Sequence, residues 1–544
     1  MSVITGRGRA EGRGWPRAAA FRVMRLGIVA LTAFGCTLVT PPVASPPPPP
    51  SPPADLPPPS AERLRPAPER VREPVSQPDP EPVRGPVRES VPPRVTDRVE
   101  PAAPAPVAAA ATAPGAPSVT APVAPSVALP AVMPAPPSAL RVGIGARPLP
   151  PRLPAEVRAL WVVRTALIHP DSVRAVVRRA EAGGFNTLLV QVRGRGDAWY
   201  HSSLEPRALQ LAHLPPDYDP LALLLAEAAP RGIQVHAWIN VHVVASTELP
   251  PVDPLHLMHA NPEWLALPRG LVGELGGVSP WDPRFVAALQ RWTRANANQV
   301  EGLYTSPAHP AVRDRVVGVV QELVDRYPLD GIHLDYVRYP SPQFDYSAVA
   351  LREFRHWLAG EAPDLSRLAA ADARAVRDPT ALPDAFPELW ARFREEQVTE
   401  LVTRVAGVIR STPRETLLSA AVFPDVDAAR RDRFQAWEGW LAAGWVDVIV
   451  PMSYSPVESV FQAQVRRAAE VAGSERVWAG VGLYRTTFPG SVSHARVAFR
   501  ERLGGVALFS YDWAVGPEGA AAVFRSGGAG DFLERWGREV WADR

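Results

Sequence analysis

The sequence predicts a (β/α)8 barrel, the TIM-barrel fold, with two insertions and a long proline-rich segment in front of it. From about Pro154 to Arg544, eight short runs rich in β-branched residues alternate with stretches of helical period. Eight strand–helix units favour a closed barrel, because a doubly wound sheet rarely needs so many. The formal net charge of +2 gives no electrostatic reason to expect a nucleic-acid partner.

Residues 1–44 are predicted to form an export signal. After an arginine-rich start, apolar residues run from Met24 to Val39. The apolar core of about 14 residues is typical of a signal peptide and too short to span a bilayer comfortably. Translation starts at Met1 or at Met24, and we expect an exported protein in the periplasm or at the cell envelope.

The single cysteine, Cys36, ends this apolar run in the sequence AFGC, which resembles a bacterial lipobox. Two alternatives remain open. Cys36 carries a lipid that attaches the protein to a membrane, or it is a chance cysteine in an ordinary signal. No intrachain disulfide can form, because the chain holds no second cysteine.

Residues 45–153 are predicted to be a disordered linker. Of the 65 prolines, 34 lie between Pro41 and Pro150, and this stretch has no Phe, Trp, Tyr or Cys. Such a composition cannot bury enough apolar surface to offset its ordering entropy. Proline-rich chains are stiff, at about 3.1 Å per residue, so the linker is either a tether that holds the folded part away from a membrane or a spacer of no selected length.

Residues 154–530 are assigned to the barrel, and residues 531–544 to a C-terminal helix. The eight predicted strands are VRALWVV from Val157, TLLVQVR from Thr187, IQVHAWI from Ile233, GIHLDYV from Gly331, TLLSAAV from Thr416, VDVIVPM from Val446, RVWAGVGL from Arg476 and GVALFSY from Gly505. Insertions at 241–308 and 340–410 follow the third and fourth strands. Both come after the carboxyl end of a strand, where barrel enzymes build their active sites.

The fourth predicted strand carries the strongest chemical candidate. Strand alternation puts Gly331, His333 and Asp335 on one face, so Asp335 ends the strand at the barrel mouth. An unpaired carboxylate is a poor core residue, which favours a functional role. His333 lies one layer below, as a hydrogen-bonded core residue or a substrate contact. Arg338 follows in the loop, where it would keep Asp335 ionised or bind a sugar.

Strands two and three end in polar and aromatic residues. Gln191 and Arg193 share a face and lead into a glycine-rich loop with Asp197. This loop lacks the lysine and spacing of a phosphate-binding loop, and its donors suit hydroxyl or carboxylate recognition. On the third strand, Asn240 shares a face with Trp238, which either stacks on a sugar or belongs to the core.

Two further candidates end later strands. Tyr454 follows the sixth strand in PMSYSP, and Asp512 follows the eighth in FSYDWA as a second carboxylate at the mouth. Other chemistries fit less well. The 11 histidines form no HExxH motif and have no cysteine partners, so we expect no metal and no cofactor. A GxSxG motif is also absent.

The order of these motifs resembles the glycosyl hydrolase-like family 10. The resemblance rests on NTLLVQVRGRGDAWY, HAWINV, LYTSPAHPAVRD, DGIHLDYVRYP, DVIVPMSY and ALFSYDWA, over about Pro154 to Trp513. Its members are exported bacterial barrels, often lipoproteins. The resemblance implies glycoside hydrolysis, in some members of peptidoglycan glycan strands stripped of their stem peptides. Ser306 and Ala436 stand where the family usually has aspartate.

The sequence leads to a mechanistic hypothesis for hydrolysis of a cell-wall glycan. Asp335 acts as nucleophile or base, and a second carboxyl protonates the leaving oxygen, with Asp512 the first candidate and Asp197 the reserve. The predicted substrate-binding residues are Gln191, Arg193, Trp238, Asn240, His333, Arg338 and Tyr454. The alternative hypothesis is a non-catalytic carbohydrate-binding barrel tethered at the cell envelope.

Overall fold

The computed structural model describes residues 154–246, 250–361, 364–516 and 531–541. The predicted signal at 1–44 with Cys36 and the predicted linker at 45–153 lie outside these residues. Within the described ranges, no helix is both long enough and apolar enough to cross a bilayer.

The strands form one ring and one small ribbon. The ring strands are β1 (Val157–Val162), β2 (Thr187–Arg193), β3 (Gln234–Asn240), β6 (Gly331–Asp335), β7 (Leu417–Val422), β8 (Val448–Pro451), β9 (Trp478–Gly482) and β10 (Gly505–Phe509). All pair in parallel in chain order, β10 pairs with β1, and a bridge from Ile449 to Val477 closes the ring between β8 and β9. The predicted barrel is confirmed, and each predicted strand begins within two residues of its observed start.

Helices surround this ring and fill the insertions. They are α1 (Pro170–Ala182), α2 (Pro220–Ala228), α3 (Leu257–Ala260), α4 (Val272–Leu275), α5 (Pro283–Ala295), α6 (Pro310–Arg326), α7 (Ala348–Gly360), α8 (Leu365–Ala375), α9 (Ala381–Ala385), α10 (Pro387–Ser411), α11 (Val426–Arg433), α12 (Trp437–Ala442), α13 (Glu458–Ala472), α14 (Phe488–Arg500), α15 (Tyr511–Val515) and α16 (Asp531–Trp541). Proline begins several of them, because its missing N–H would have no partner there anyway. At α2, for example, Asp219 precedes Pro220 and accepts a hydrogen bond from the Ala222 amide.

The insertions build a second hydrophobic core beside the barrel. The first holds the antiparallel ribbon of β4 (Val243–Ser246) and β5 (Gly302–Tyr304) together with α3, α4 and α5. The second holds α7, α8, α9 and α10, and its aromatic residues Phe354, Trp390 and Phe393 pack on one another. Because both insertions leave the carboxyl ends of adjacent ring strands, their shared core lies at the end of the barrel where a site is expected.

Helix α16 belongs to the outer layer of the barrel. Trp536 stacks on Phe185 with ring centroids 5.7 Å apart, and the Trp541 indole donates to the Gly183 carbonyl at 2.9 Å. The helix therefore covers the end of α1 and the turn into β2.

The barrel interior holds a small apolar cluster with histidines among it. The apolar members are Val157, Ala159, Trp161, Leu189, Trp238, Leu417, Val448, Val450, Trp478 and Ala507. His333 accepts a hydrogen bond at Nε2 from the Trp161 indole at 3.2 Å, and its Nδ1 lies 2.9 Å from the Ser419 hydroxyl. Both ring nitrogens are therefore engaged, which corrects the expectation of a substrate contact: His333 lies in the hydrogen-bonded core.

Three fully buried histidines are expected to make the fold sensitive to acid. Burial lowers the pKa of His236, His242 and His333 to about 3, from an ordinary 6.5. Between these values the unfolded chain binds protons that the folded chain excludes, so stability falls as the pH falls. Each histidine contributes about 1.4 kcal/mol per pH unit in that window.

Thermal melts at pH 8, 6 and 5 would measure this slope. We expect His236→Met to flatten this slope, because the substitution removes one of the titrating groups. The His236 ring packs tilted against Trp478 in the barrel interior, with ring centroids 5.7 Å apart, so an apolar side chain suits the position. The exposed His213 provides the control, and His213→Gln should leave the slope unchanged. An equal slope for wild type and His236→Met would contradict the assignment.

Candidate active site

Asp335 occupies the carboxyl end of β6, on the same face as the interior residue His333. Asp335 is only 8% exposed, and one side-chain oxygen accepts a hydrogen bond from the Tyr336 amide at 2.7 Å. Burial raises the pKa of Asp335 to about 6, while the Tyr336 amide, Arg338 and the nearby Trp238 indole oppose the shift. The carboxyl group is thus poised to change its charge near neutral pH.

The backbone turns sharply directly after this carboxylate. Tyr336 has φ of 52°, in the left-handed region that is rare for a bulky residue. Such strain costs of the order of 1–3 kcal/mol and is concentrated at functional sites. Here it turns the Tyr336 amide back onto Asp335 and lays the Tyr336 ring against Arg338, with the guanidinium 4.9 Å from the ring centroid.

Arg338 is buried and held by a carboxylate that the sequence analysis did not find. Its Nη2 donates to Glu301 at 2.7 Å, and Glu301 also accepts from the Tyr304 hydroxyl at 2.6 Å. Partial burial raises the pKa of Glu301, but Arg338 and Tyr304 outweigh it, so the pKa lies below its ordinary value. The negative charge of Glu301 in turn raises the pKa of Asp335. Glu301 precedes a three-residue strand in the first insertion, where no periodic pattern marks it.

Asp512 lies across the barrel mouth, at the start of α15. The Ser510 hydroxyl donates to its Oδ2 at 2.9 Å. Burial raises the pKa of Asp512, and Ser510 and Arg164 offset this only in part. Arg164 is a second residue that the sequence analysis missed, and its Nη1 donates to Gln191 at 2.7 Å. Gln191 therefore orients Arg164 beside Asp512, so its side-chain oxygen already has a partner within the protein.

Asp197 organises the glycine-rich loop after β2. One of its oxygens accepts from the Arg195 amide at 2.7 Å, and the other from the Trp199 indole at 3.2 Å. Because both oxygens hold the loop, Asp197 is less suited than Asp512 to donate a proton.

Arg193 and Asn240 join the ends of β2 and β3. Arg193 forms an ion pair with Glu205 at 2.9 Å, with side chains that are 2% and 0% exposed. Its Nη1 donates to the carbonyls of Asn240 and Val241. The Asn240 amide donates to the Gly194 carbonyl at 2.8 Å. These contacts hold the loop in place beneath the mouth. The Arg193 guanidinium is used in contacts with other residues of the same chain.

Aromatic rings line the mouth beside Asp335. Trp238 is buried, with its ring centroid 6.3 Å from that of Phe509. The partly buried Tyr454 lies 5.6 Å from Phe509, also between centroids. Burial and the charge of Asp335 raise the pKa of Tyr454 well above its ordinary value, so its hydroxyl stays protonated and can donate.

A separate cavity of about 120 Å³ lies within the insertions. Its lining is mainly apolar, with Leu265, Val272, Phe285 and Leu351 among its members and Glu263 at its wall. Among the described residues, no group of three or more His, Cys, Asp or Glu side chains is placed to hold a metal ion. The barrel mouth carries two carboxyl groups with a raised pKa, Asp335 and Asp512, and is therefore the stronger candidate.

Comparison with known proteins finds curated relatives that are named glycosyl hydrolases. The chain is 28% identical to the glycosyl hydrolase YngK of Bacillus subtilis over 202 residues, which are 34% of each chain. It is 31% identical to the glycosyl hydrolase DigH of Escherichia coli over 156 residues, 28% of this chain and 30% of that one. The alignments thus span about a third of the length of these curated relatives.

A solved structure with a similar fold is the PgaB (BpsB) glycoside hydrolase domain from Bordetella bronchiseptica, with a TM-score of 0.46 and 14% identity. It covers 68% of this chain and 98% of that one. The family model described as glycosyl hydrolase-like 10 matches residues 156–498, from the first ring strand to α14. The chain therefore belongs to the glycosyl hydrolase-like 10 family.

Proposed function

We propose that this protein is a glycoside hydrolase that cleaves a cell-envelope polysaccharide, namely peptidoglycan glycan strands that lack stem peptides. Asp335 is the observation that carries the proposal: a nearly buried carboxyl at the carboxyl end of a barrel strand, with a pKa of about 6. Membership of the family and relatives named glycosyl hydrolases support the reaction class. The substrate follows from the family resemblance alone.

Asp335 ends one ring strand, and Asp512 follows another on the opposite side of the ring. In the ring order, β6 and β10 are separated by three strands on either side, so Asp335 and Asp512 belong to opposite walls of the mouth. A glycan strand lying across the mouth would pass between them. Glycoside hydrolysis by two carboxyl groups needs one on each side of the cleaved bond, and residues on opposite walls of the mouth would supply them.

In the proposed mechanism, ionised Asp335 attacks the anomeric carbon or activates a water that does so. Protonated Asp512 gives its proton to the leaving glycosidic oxygen, and a water molecule supplies the hydroxyl of the new reducing end. Burial raises the pKa of Asp512, which is the direction that the role of an acid needs. Tyr454 and Arg164 would donate hydrogen bonds to sugar hydroxyls.

The substrate is tested by digestion of two forms of purified peptidoglycan, one intact and one freed of stem peptides by an amidase. Mass spectrometry of the soluble products should show glycan fragments from the second form. Asp335→Asn protein serves as the control. If the protein sediments with both forms and releases nothing, it is a binding module and the hydrolase proposal is wrong.

Hydrolysis is expected to decline on the acid side of a pKa near 6. Below this value Asp335 becomes protonated, and the rate should fall about tenfold for each pH unit. Glu301→Gln removes a negative charge that raises the pKa of Asp335, and it also leaves the positive charge of Arg338 less compensated. Both effects lower the pKa of Asp335, so the acid limb of the kcat/KM profile should move to lower pH.

The matched control for this shift is Glu227→Gln, which neutralises a carboxylate on the outer helix α2. We expect the profile of that variant to overlay the wild-type profile. An acid limb that stays in place in Glu301→Gln would show that Glu301 does not influence the titrating group.

We also propose that the protein works outside the cytoplasm. The support is the predicted signal at 1–44 and the proline-rich linker, both in the sequence alone. Lipid attachment at Cys36 would place the barrel on a tether at a membrane facing the cell wall. Labelling with a radioactive fatty acid in wild type and in Cys36→Ser tests the attachment.

A further inference from the structure

Two exposed aromatic rings lie at the barrel mouth. Among the Phe, Tyr and Trp residues that the structure describes, Tyr484, Trp513 and Trp281 have exposed side chains. Tyr484 and Trp513 are 43% and 38% exposed, and their ring centroids are 6.0 Å apart at an interplanar angle of 34°. Two exposed rings in contact leave contiguous apolar area in water, and such patches, unlike single exposed residues, mark binding surfaces.

Both rings follow the carboxyl ends of neighbouring strands. Tyr484 comes two residues after β9 ends at Gly482, and Trp513 lies in α15, directly after Asp512. Because β9 and β10 are paired in parallel, the two rings meet at the same end of the barrel as Asp335.

The exposed pair continues inward to the reactive carboxylate through other rings. Tyr484 contacts Tyr454 at 5.6 Å and Phe509 at 6.0 Å between centroids. Tyr454 lies close enough to Asp335 for the carboxylate charge to raise its pKa. The series Trp513, Tyr484, Tyr454 therefore forms a continuous aromatic wall from solvent to the site.

Glycine at position 482 is what lets this wall form. A Cβ atom there would lie 2.9 Å from the Tyr454 ring, closer than packed atoms allow. Because residue 482 is glycine, the Tyr454 ring can pack directly against β9. Tyr484 then forms the exposed part of the aromatic surface at the mouth.

The chemistry of a pyranose ring matches such a surface. Its faces are C–H groups and its edges are hydroxyls, so a flat aromatic ring can bury a face while the hydroxyls keep their hydrogen bonds to water. An extended glycan between Asp335 and Asp512 would continue over neighbouring parts of the rim. A peptide has no comparable repeating apolar face, so a sugar ring is the better occupant.

We infer that Tyr484 and Trp513 form a stacking subsite for a sugar ring beyond the cleaved bond, which makes longer glycan fragments better substrates than short ones. The inference rests on the proposed glycan substrate and extends it to a chain-length preference. The subsite supplies binding, and its residues take no part in bond cleavage.

Binding in the absence of turnover provides the test. In the Asp335→Asn background of the full chain, the probes are a disaccharide, a tetrasaccharide and a hexasaccharide prepared from amidase-treated glycan strands, measured by calorimetry. Tyr484→Ala and Trp513→Ala should each weaken hexasaccharide binding by about tenfold, with little effect on the disaccharide. Tyr484→Phe and Trp513→Phe should retain the wild-type preference, because each keeps a flat ring.

Trp281→Ala is the matched control. Trp281 is 62% exposed and precedes α5 in the insertion that follows β3, a strand that is not adjacent to β9 or β10, so its loss should not alter binding at this subsite. With Asp335 intact, the alanine variants should raise KM for long strands and leave kcat close to that of wild type. Unchanged hexasaccharide affinity in both alanine variants would overturn the subsite while leaving hydrolysis intact. Glycan binding that depends on both rings but is never followed by cleavage would overturn the hydrolase proposal and support the subsite.

Discussion

Asp335→Asn is expected to reduce the hydrolysis of stem-peptide-free glycan strands by about 10³- to 10⁴-fold. Asparagine has nearly the same shape, and its carbonyl oxygen can still accept the Tyr336 amide at the position of the 2.7 Å hydrogen bond. It lacks the negative charge needed for attack at the anomeric carbon or for activation of water. Release of reducing ends over time, at saturating substrate, measures the effect.

The same substitution at the opposite end of β6 provides the control. Asp330 immediately precedes β6, and its carboxylate accepts a hydrogen bond from the Val235 amide at 2.9 Å. Asp330→Asn should keep nearly full activity, because that end of a barrel contributes to stability and not to catalysis. Folding is not expected to suffer in Asp335→Asn, since removing a buried charge relieves a desolvation cost. Wild-type rates in a folded Asp335→Asn protein would remove Asp335 from the mechanism.

Arg193→Met is expected to destabilise the protein by about 3–5 kcal/mol. Glu205 is fully buried, and it would lose the Arg193 guanidinium at 2.9 Å, leaving Arg315 at 3.6 Å as its remaining ion-pair contact. The carbonyls of Asn240 and Val241 would lose a donor as well. Urea unfolding followed by tryptophan fluorescence measures the change in the free energy of unfolding.

Two comparisons show whether the cause is the unpaired buried charge. The double variant Arg193→Met/Glu205→Leu should recover much of the lost stability, because it removes both charges. Arg355→Met breaks an ion pair with Asp372 whose side chains are 62% and 29% exposed, and should cost less than about 1 kcal/mol. If Arg193→Met is as stable as wild type but binds glycan poorly, the substrate-binding role expected from the sequence is right and the structural role is wrong.

The ring strands and the position of Asp335 could be predicted from the sequence, because they depend on the alternation of residue types within short segments. Alternation along GIHLD and TLLVQVR assigns each side chain to one face of a strand, and a repeat of eight such runs closes a barrel. Once the strands are known, the residue at the carboxyl end of each inward face lies at the mouth. Asp335 therefore follows from the sequence and the geometry of the fold alone.

The partners of these residues depend on chain segments that only the tertiary structure brings together. Arg338 pairs with Glu301, 37 residues earlier in the chain, and Arg193 pairs with Glu205 under the glycine-rich loop. The carboxylate of Asp197 is likewise used within its own loop, which no spacing rule reveals.

By itself, the sequence determined the barrel, the two insertions and the end of the molecule where the chemistry lies, since strand period and order are local properties of the chain. The folded structure decided which charges are neutralised, which carboxyl groups keep a raised pKa, and that Tyr484 and Trp513 face solvent together. Those properties depend on burial and on distances between remote segments. Electrostatic interactions and the exposure of a side chain change over a few ångströms, a scale that residue spacing along the chain does not record.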